Sequence, residues 1–88
     1  MQGGREVKVQ VLGTGCAKCN KLYEAARAAI DLAGVQAELE KVEKIDQIMA
    51  LGVAITPALL VDGRVLAAGK VPKAEQIAAW LEEMAPGA

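Results

Sequence analysis

Val7-Lys8-Val9-Gln10-Val11-Leu12-Gly13-Thr14-Gly15-Cys16-Ala17-Lys18-Cys19-Asn20 passes from an alternating apolar pattern, through two glycines, into a helical one, with both of the chain's cysteines at the junction. Val7, Val9 and Val11 alternate with Lys8 and Gln10. Leu12 prolongs the apolar run as a central strand covered on both faces would, so a first strand is expected at about Arg5 to Leu12. From about Cys16 to Ala33 the chain is alanine-rich, with Leu22, Ala26, Ala29, Ile30 and Ala33 at helical spacing and Gly34 where a left-handed cap is usual. The first turn of such a helix exposes N–H groups without intrahelical partners and the positive end of the macrodipole, and both favour a thiolate over a thiol. Cys16 is therefore the expected reactive sulfur. Residues three apart on a helix lie about 5 Å from each other on nearly one face, so Cys16 and Cys19 can close a disulfide ring.

The small polar residues before Cys16, and Lys18 between the cysteines, mark an accessible loop rather than two unrelated buried thiols. Thiolates also hold zinc and monovalent copper, and a strand-loop-helix Cys-x-x-Cys serves small metal-carrying domains. With two cysteines and no histidine, one copy of the chain cannot supply four soft ligands to a closed zinc site. A two-coordinate or dimer-bridging soft metal stands as the alternative use of the pair.

Composition bounds the answer further. A chain of 88 residues is read as one small domain, 1–88, with a core from about 5 to 85. Hydrophobic residues make up 53%, yet there is one Trp, one Tyr and no Phe, so the core must be aliphatic and alanine-rich with closely packed helices. Net charge is -1 and no basic cluster occurs, which argues against nucleic acid as a partner. No apolar run approaches the ~20 residues of a membrane span, and Met1-Gln2-Gly3-Gly4-Arg5-Glu6 has no apolar signal region, so a cytoplasmic protein without a membrane partner is expected. In a reducing cytosol a lone Cys-x-x-Cys is more often catalytic or redox-sensing than a permanent staple.

Downstream, Val35, Ala37 and Leu39 alternate with Gln36, Glu38 and Glu40, a half-buried second strand that one helix joins to the first, and hence parallel to it. Lys44 to Leu51, with Ile45, Ile48 and Met49 at helical spacing and Gly52 as the stop, is a short helix in which Met49 is expected to fill the core. Ala54 to Gly69 holds two apolar runs around Asp62-Gly63, a hairpin signal, with Pro57 at the head of the third strand. Ile77, Trp80, Leu81 and Met84 mark one face of a last helix beginning near Pro72 or Lys73, with Trp80 expected in the core. The order is β-α-β-α-β-β-α.

A Cys-x-x-Cys opening the first helix, Ile55-Thr56-Pro57-Ala58-Leu59 followed by Val61-Asp62-Gly63, and a βαβ half joined to a ββα half together resemble the thioredoxin-like superfamily. The likeness runs from about Val7 to Met84 and is greatest to the small redox-active disulfide proteins, or glutaredoxin-like thioredoxins, that carry Gly-x-Gly-Cys-x-x-Cys. It implies an α/β thioredoxin-like fold, a four-stranded mixed sheet with helices on both faces, and a thiol-disulfide oxidoreductase in which Cys16 attacks and Cys19 resolves. It also places a cis proline, Pro57, beside the pair, with Gly15 and the Thr56 backbone available to substrate. Lys18 and Lys21, one helical turn apart, would add positive potential near Cys16. The implied partners are disulfide-containing proteins and a thioredoxin-reductase-like electron donor, and the chain is expected to be a monomer. Its implied redox group is the Cys16–Cys19 couple itself, with no separate cofactor and no metal. Ala17-Lys18 replaces the Gly-Pro of thioredoxins and the Pro-Tyr of many glutaredoxins, and Ala67-Ala68-Gly69-Lys70 lacks the paired glycines with which glutaredoxins hold glutathione, so glutathione is not implied. A redox-sensing thioredoxin-like module is a further alternative for the same pair.

Overall fold

The structure, a computed structural model, describes residues 6–84. Arg5, the expected first residue of the first strand, and residue 85, the expected end of the core, lie outside the described residues. The elements follow the expected order: β1 Val7–Leu12, α1 Ala17–Ala33, β2 Ala37–Val42, α2 Ile45–Ala50, β3 Ala58–Val61, β4 Arg64–Ala68 and α3 Ala74–Met84. They form one mixed sheet of order β2-β1-β3-β4. β2 runs parallel to β1, and β3 is antiparallel to both β1 and β4.

β1 lies inside this sheet, and every residue in it except Lys8 is buried, as an apolar run continuing through Leu12 requires. Its two faces feed two cores. Val7, Val9 and Val11 pack with Leu22, Ala26 and Ala29 of α1 and with Ile77, Ala78 and Leu81 of α3. On the opposite face Leu12 joins Val42, Ala58 and Leu60 beneath Ile48 of α2 and Val53. The alanines of α1 let that helix sit close to the sheet, which is how a chain poor in aromatics fills its interior. Trp80 is half-buried at the edge of the α1–α3 core rather than inside it.

Three departures from the sequence reading have physical causes. The second strand begins at Ala37 instead of Val35, because Gly34 caps α1 in the left-handed region and Gln36 spends its carbonyl on the Val7 N–H as the chain turns. Registry with β1 then carries β2 on to Val42, opposite Leu12. Met49 does not fill the core: it is 68% exposed and Ile45 64%, and of the three large apolar residues of α2 only Ile48 is buried. A helix of six residues covers too little sheet to bury more than one side chain of that stripe. The last helix starts at Ala74, its first bonds going from Gln76 and Ile77 to the Lys73 carbonyl.

The Asp62-Gly63 turn has positive φ at both residues, 51° and 83°, the pair of conformations that a two-residue hairpin of type I′ needs. It is also pinned to β1, for Asp62 donates its N–H to the Lys8 carbonyl at 2.8 Å and its Oδ1 accepts from the Lys8 N–H at 2.9 Å. Asp62→Ala removes the side-chain bond and places a residue less tolerant of positive φ in the turn. The expected loss, read from chemical denaturation, is about 1 kcal/mol, with Asp62→Asn retaining most of the stability.

Candidate active site

The site forms where β1 ends. Gly13 continues the strand direction by donating its N–H to the Val42 carbonyl at 2.9 Å, and the chain then turns through Gly15 at φ 93° before entering α1. Cys16 is the N-cap of that helix, extended at φ -72° and ψ 169°, and its sulfur accepts the Cys19 N–H at 3.3 Å. A cap usually offers an oxygen to the N–H three residues on; here a sulfur takes that place. Cys16 is exposed and Cys19 is buried, both as thiols.

Spacing alone gives this asymmetry. The N-cap stands at the outer rim of the helix, while a residue one turn later on the sheet-facing side points inward with Leu22 and Ala26. The Cys16 thiol is held below its ordinary value, first because the Cys19 thiol donates to it and second because the Cys19 backbone N–H does. The Lys18 contribution comes from its backbone N–H. The orphan amides of the helix start therefore act as expected, but they rank behind the partner sulfur. Cys19 moves the other way: burial pushes its thiol up, and so does serving as donor to Cys16.

Pro57 is buried, the Thr56–Pro57 bond is cis, and the Pro57 carbonyl accepts the Gly69 N–H at 2.7 Å, tying the start of β3 to the end of β4. Thr56 is exposed on the approach to this strand. Pro57 and Cys19 meet at Gly13. A Cβ built on Gly13 would overlap the Cys19 sulfur, lie 3.0 Å from the Cys19 Cβ and come within 3.9 Å of the Pro57 Cα. Gly13 thus lacks a side chain because the Cys19 thiol occupies that space. The doublet Gly13-x-Gly15 is visible in the sequence; that Gly13 makes room for the Cys19 sulfur while Gly15 serves a positive φ of 93° is not.

Sequence reading also passed over the end of β2. A cleft of about 10 Å³ beside Cys19 is lined by Val11, Gly13, Gly15, Asn20, Lys41 and Glu43 as well as by Cys19. Lys41 holds its ammonium 4.6 Å from the centroid of the Tyr23 ring on α1. The Glu43 carboxylate lies over Gly15, 3.7 Å from where a Cβ there would stand. Both residues belong to an alternating charged stretch that reads as solvated surface, and only the pairing of β2 with β1 brings them beside a cysteine. Among the described residues no group of three His, Cys, Asp or Glu side chains is placed to hold a metal ion.

Comparison with known proteins agrees with this geometry. Residues 7–82 match the family model described as the thioredoxin domain. The chain is 42% identical over 71 residues to a thioredoxin of Methanothermobacter thermautotrophicus, an alignment covering 81% of this chain and 92% of that one. It is 36% identical over 81 residues to a thioredoxin of Methanocaldococcus jannaschii, covering 92% and 93% respectively. In three dimensions it is similar to the oxidised thioredoxin of Plasmodium falciparum, with a TM-score of 0.61 over 90% of this chain and 81% of that one at 10% identity, a likeness of fold.

Proposed function

This chain belongs to the thioredoxin domain family, and on that premise we propose that Cys16 is its attacking sulfur and Cys19 its resolving sulfur. The chain is a thiol-disulfide oxidoreductase. The observation that carries the division of labour is the opposed setting of two thiols one helical turn apart, the outer one exposed and shifted toward its thiolate, the inner one buried and shifted toward its thiol.

Attack requires a thiolate that a large substrate can reach, which Cys16 offers. Its sulfur displaces one sulfur of the substrate disulfide and forms a mixed disulfide, while the departing thiolate is protonated by solvent. Cys19 then attacks Cys16, releases the second substrate sulfur and leaves the Cys16–Cys19 disulfide. Two electrons and two protons have passed to the substrate. We assign disulfide-bearing proteins as the substrates, an electron donor of the thioredoxin-reductase kind as the partner that restores the dithiol, and the Cys16–Cys19 couple as the only redox group. Gly15, Thr56 and Pro57 frame the approach to Cys16, and the exposed Thr56 backbone suits pairing with an extended segment of substrate. No helix among the described residues is long and apolar enough to cross a membrane. The working picture is a cytoplasmic monomer built as one domain.

Alkylation tests the assignment directly. The rate of Cys16 modification by iodoacetamide is expected to rise with pH about a midpoint below the ~8.5 of a free thiol, with Cys19 modified only at higher pH. In Cys19→Ala the donor thiol is gone while the backbone N–H remains, so the Cys16 midpoint should move up yet stay below that of a free thiol. An unchanged midpoint in Cys19→Ala would give the whole shift to the backbone. A wild-type midpoint at or above the free value would remove the attacking role.

A further inference from the structure

Charge is divided between the two ends of the molecule, and the cysteine chemistry does not require it. Register places Val42, Leu12, Ala58 and Ala68 in one row across the sheet, at the end where the cysteines lie. Just beyond that row stand Lys44 after β2, Lys70 after β4 and Lys18 in the first turn of α1, with Lys21 a turn further on and Lys73 immediately before α3. All five are exposed. Among the described residues none of them is in an ion pair, the pair present being Lys8 with Glu40 at 3.6 Å. The carboxylates at this end are Glu43, Asp46 and Glu75. At the opposite end the balance reverses. Glu6, Glu38 and Asp62 beside the sheet, and Asp31, Glu82 and Glu83 in the last turns of α1 and α3, stand against Lys8 and Arg64.

Helix stability does not account for this division, because cations near the first turn of a helix and anions near its last oppose the macrodipole. α1 nevertheless has Lys18 and no carboxylate in its first turn, and Asp31 and no base in its last. α3 closes on Glu82 and Glu83, again without a base; only Glu75 and Asp46, in the first turns of α3 and α2, follow the usual rule. Thiol activation does not account for it either. Cys16 owes its lowered pKa to the Cys19 thiol and to backbone N–H groups, not to a lysine charge.

We propose that the basic end is a docking surface for acidic protein segments, so that the preferred substrates are disulfides whose cysteines are flanked by Asp or Glu. This preference presupposes attack by Cys16, as assigned above, and names the class of disulfide that reaches it. Strand order supplies the geometry. β3 lies between β1 and β4, so Thr56, on the approach to β3, stands between the β1–α1 junction that carries Lys18 and the end of β4 that carries Lys70. An extended segment paired with the Thr56 backbone therefore has a lysine toward either flank of its cysteine, where carboxylates are attracted and ammonium groups repelled. Net charge acts in the opposite sense. At -1 the whole chain weakly favours basic partners, so a preference for acidic ones must come from the local arrangement.

The test uses three disulfide-bridged peptide dimers, identical except that the residues on both sides of the cysteine are Glu, Gln or Lys. Reduced protein is mixed with each in a single turnover, and its rate constant is divided by that of dithiothreitol with the same peptide, which removes the effect of the flanks on the disulfide itself. At 0.01 M salt the normalised rate for the Glu peptide should exceed that for the Lys peptide about tenfold, with Gln between. At 1 M salt the Debye length falls from about 30 Å to about 3 Å, and the ratio should shrink to about twofold or less. Lys18→Gln combined with Lys70→Gln should cut the low-salt ratio to about threefold or less, whereas Arg27→Gln combined with Arg64→Gln, which removes the same charge from elsewhere, should leave it unchanged. Each ratio compares peptides on one protein, so a change in Cys16 reactivity cancels. A ratio near or below one overturns the preference and leaves the attacking role of Cys16 intact. So does a ratio indifferent to salt or to the two lysine substitutions, or one that the arginine substitutions lower equally. If none of the peptides oxidises the pair, attack by Cys16 fails first and the preference with it.

Discussion

Cys16→Ser is expected to lower insulin-disulfide reduction to the rate of dithiothreitol alone, while Cys19→Ser, reduced and then mixed with substrate in the absence of free thiol, should stop after one turnover as a covalent adduct. The two variants should fail differently because the proposed roles of the two sulfurs differ. Serine at position 16 can still cap α1, through an oxygen that suits the Cys19 N–H better than sulfur does, so the fold should survive and only the nucleophile is lost. Serine at position 19 leaves the exposed thiol in place. Without Cys19 the mixed disulfide must wait for an external thiol at millimolar concentration, whereas a well-placed intramolecular thiol can act as though present at ~10⁵ M or more. The adduct should therefore accumulate to one equivalent, and in a lysate it should hold the natural protein substrates. Turnover above background in Cys16→Ser would hand the attack to the buried sulfur and overturn the assignment. A Cys19→Ser variant that turns over at the wild-type rate would show that resolution does not depend on Cys19.

Much of this is legible in the amino-acid sequence, for reasons particular residues make plain. The Cys-x-x-Cys junction is local, and strand, glycine turn and helix each leave their own signature within fourteen consecutive residues, Val7 to Asn20. Asp62-Gly63 is equally local: a turn with positive φ at both positions selects its residues strongly. What the sequence does not carry is registry between distant segments. The shift of β2 to Ala37–Val42 is set by the pairing of Val7 with Ala37, thirty residues apart along the chain. Met49 resembles a core residue because its spacing is right, and nothing in the spacing says that a helix as short as α2 can bury only Ile48. Lys41 and Glu43 are charges on an alternating strand until β2 is laid beside β1, which sets them against the cysteine cleft. The same holds for the leading cause of the Cys16 shift. A helix start is visible in a sequence; the donation from the Cys19 thiol depends on where two side chains point.

Gly13→Ala should be the most damaging change to the site that touches neither cysteine. Gly13 has no positive φ to excuse it, so its need for glycine is purely one of space. The added methyl would stand where the Cys19 sulfur is and only 3.0 Å from the Cys19 Cβ, with Pro57 behind it at 3.9 Å. Cys19 is 5% exposed and sits in the first turn of α1, anchored by Leu22 and Ala26, so the thiol cannot swing into open solvent without disturbing the helix start. Overpacking of this kind costs about 1–3 kcal/mol, equivalent to roughly a factor of 5 to 150 in the folding equilibrium. Relaxation would come by pushing the Cys19 sulfur out of line with Cys16, so the surviving folded protein should also resolve mixed disulfides more slowly. The origin of the cost can be isolated by a double-mutant cycle in denaturant. In a Cys19→Ala background the sulfur is absent and the methyl of Gly13→Ala has room, so most of the penalty should vanish, the remainder reflecting the close Cβ. An equal penalty in both backgrounds would mean that the glycine serves the backbone of β1 and not the buried thiol.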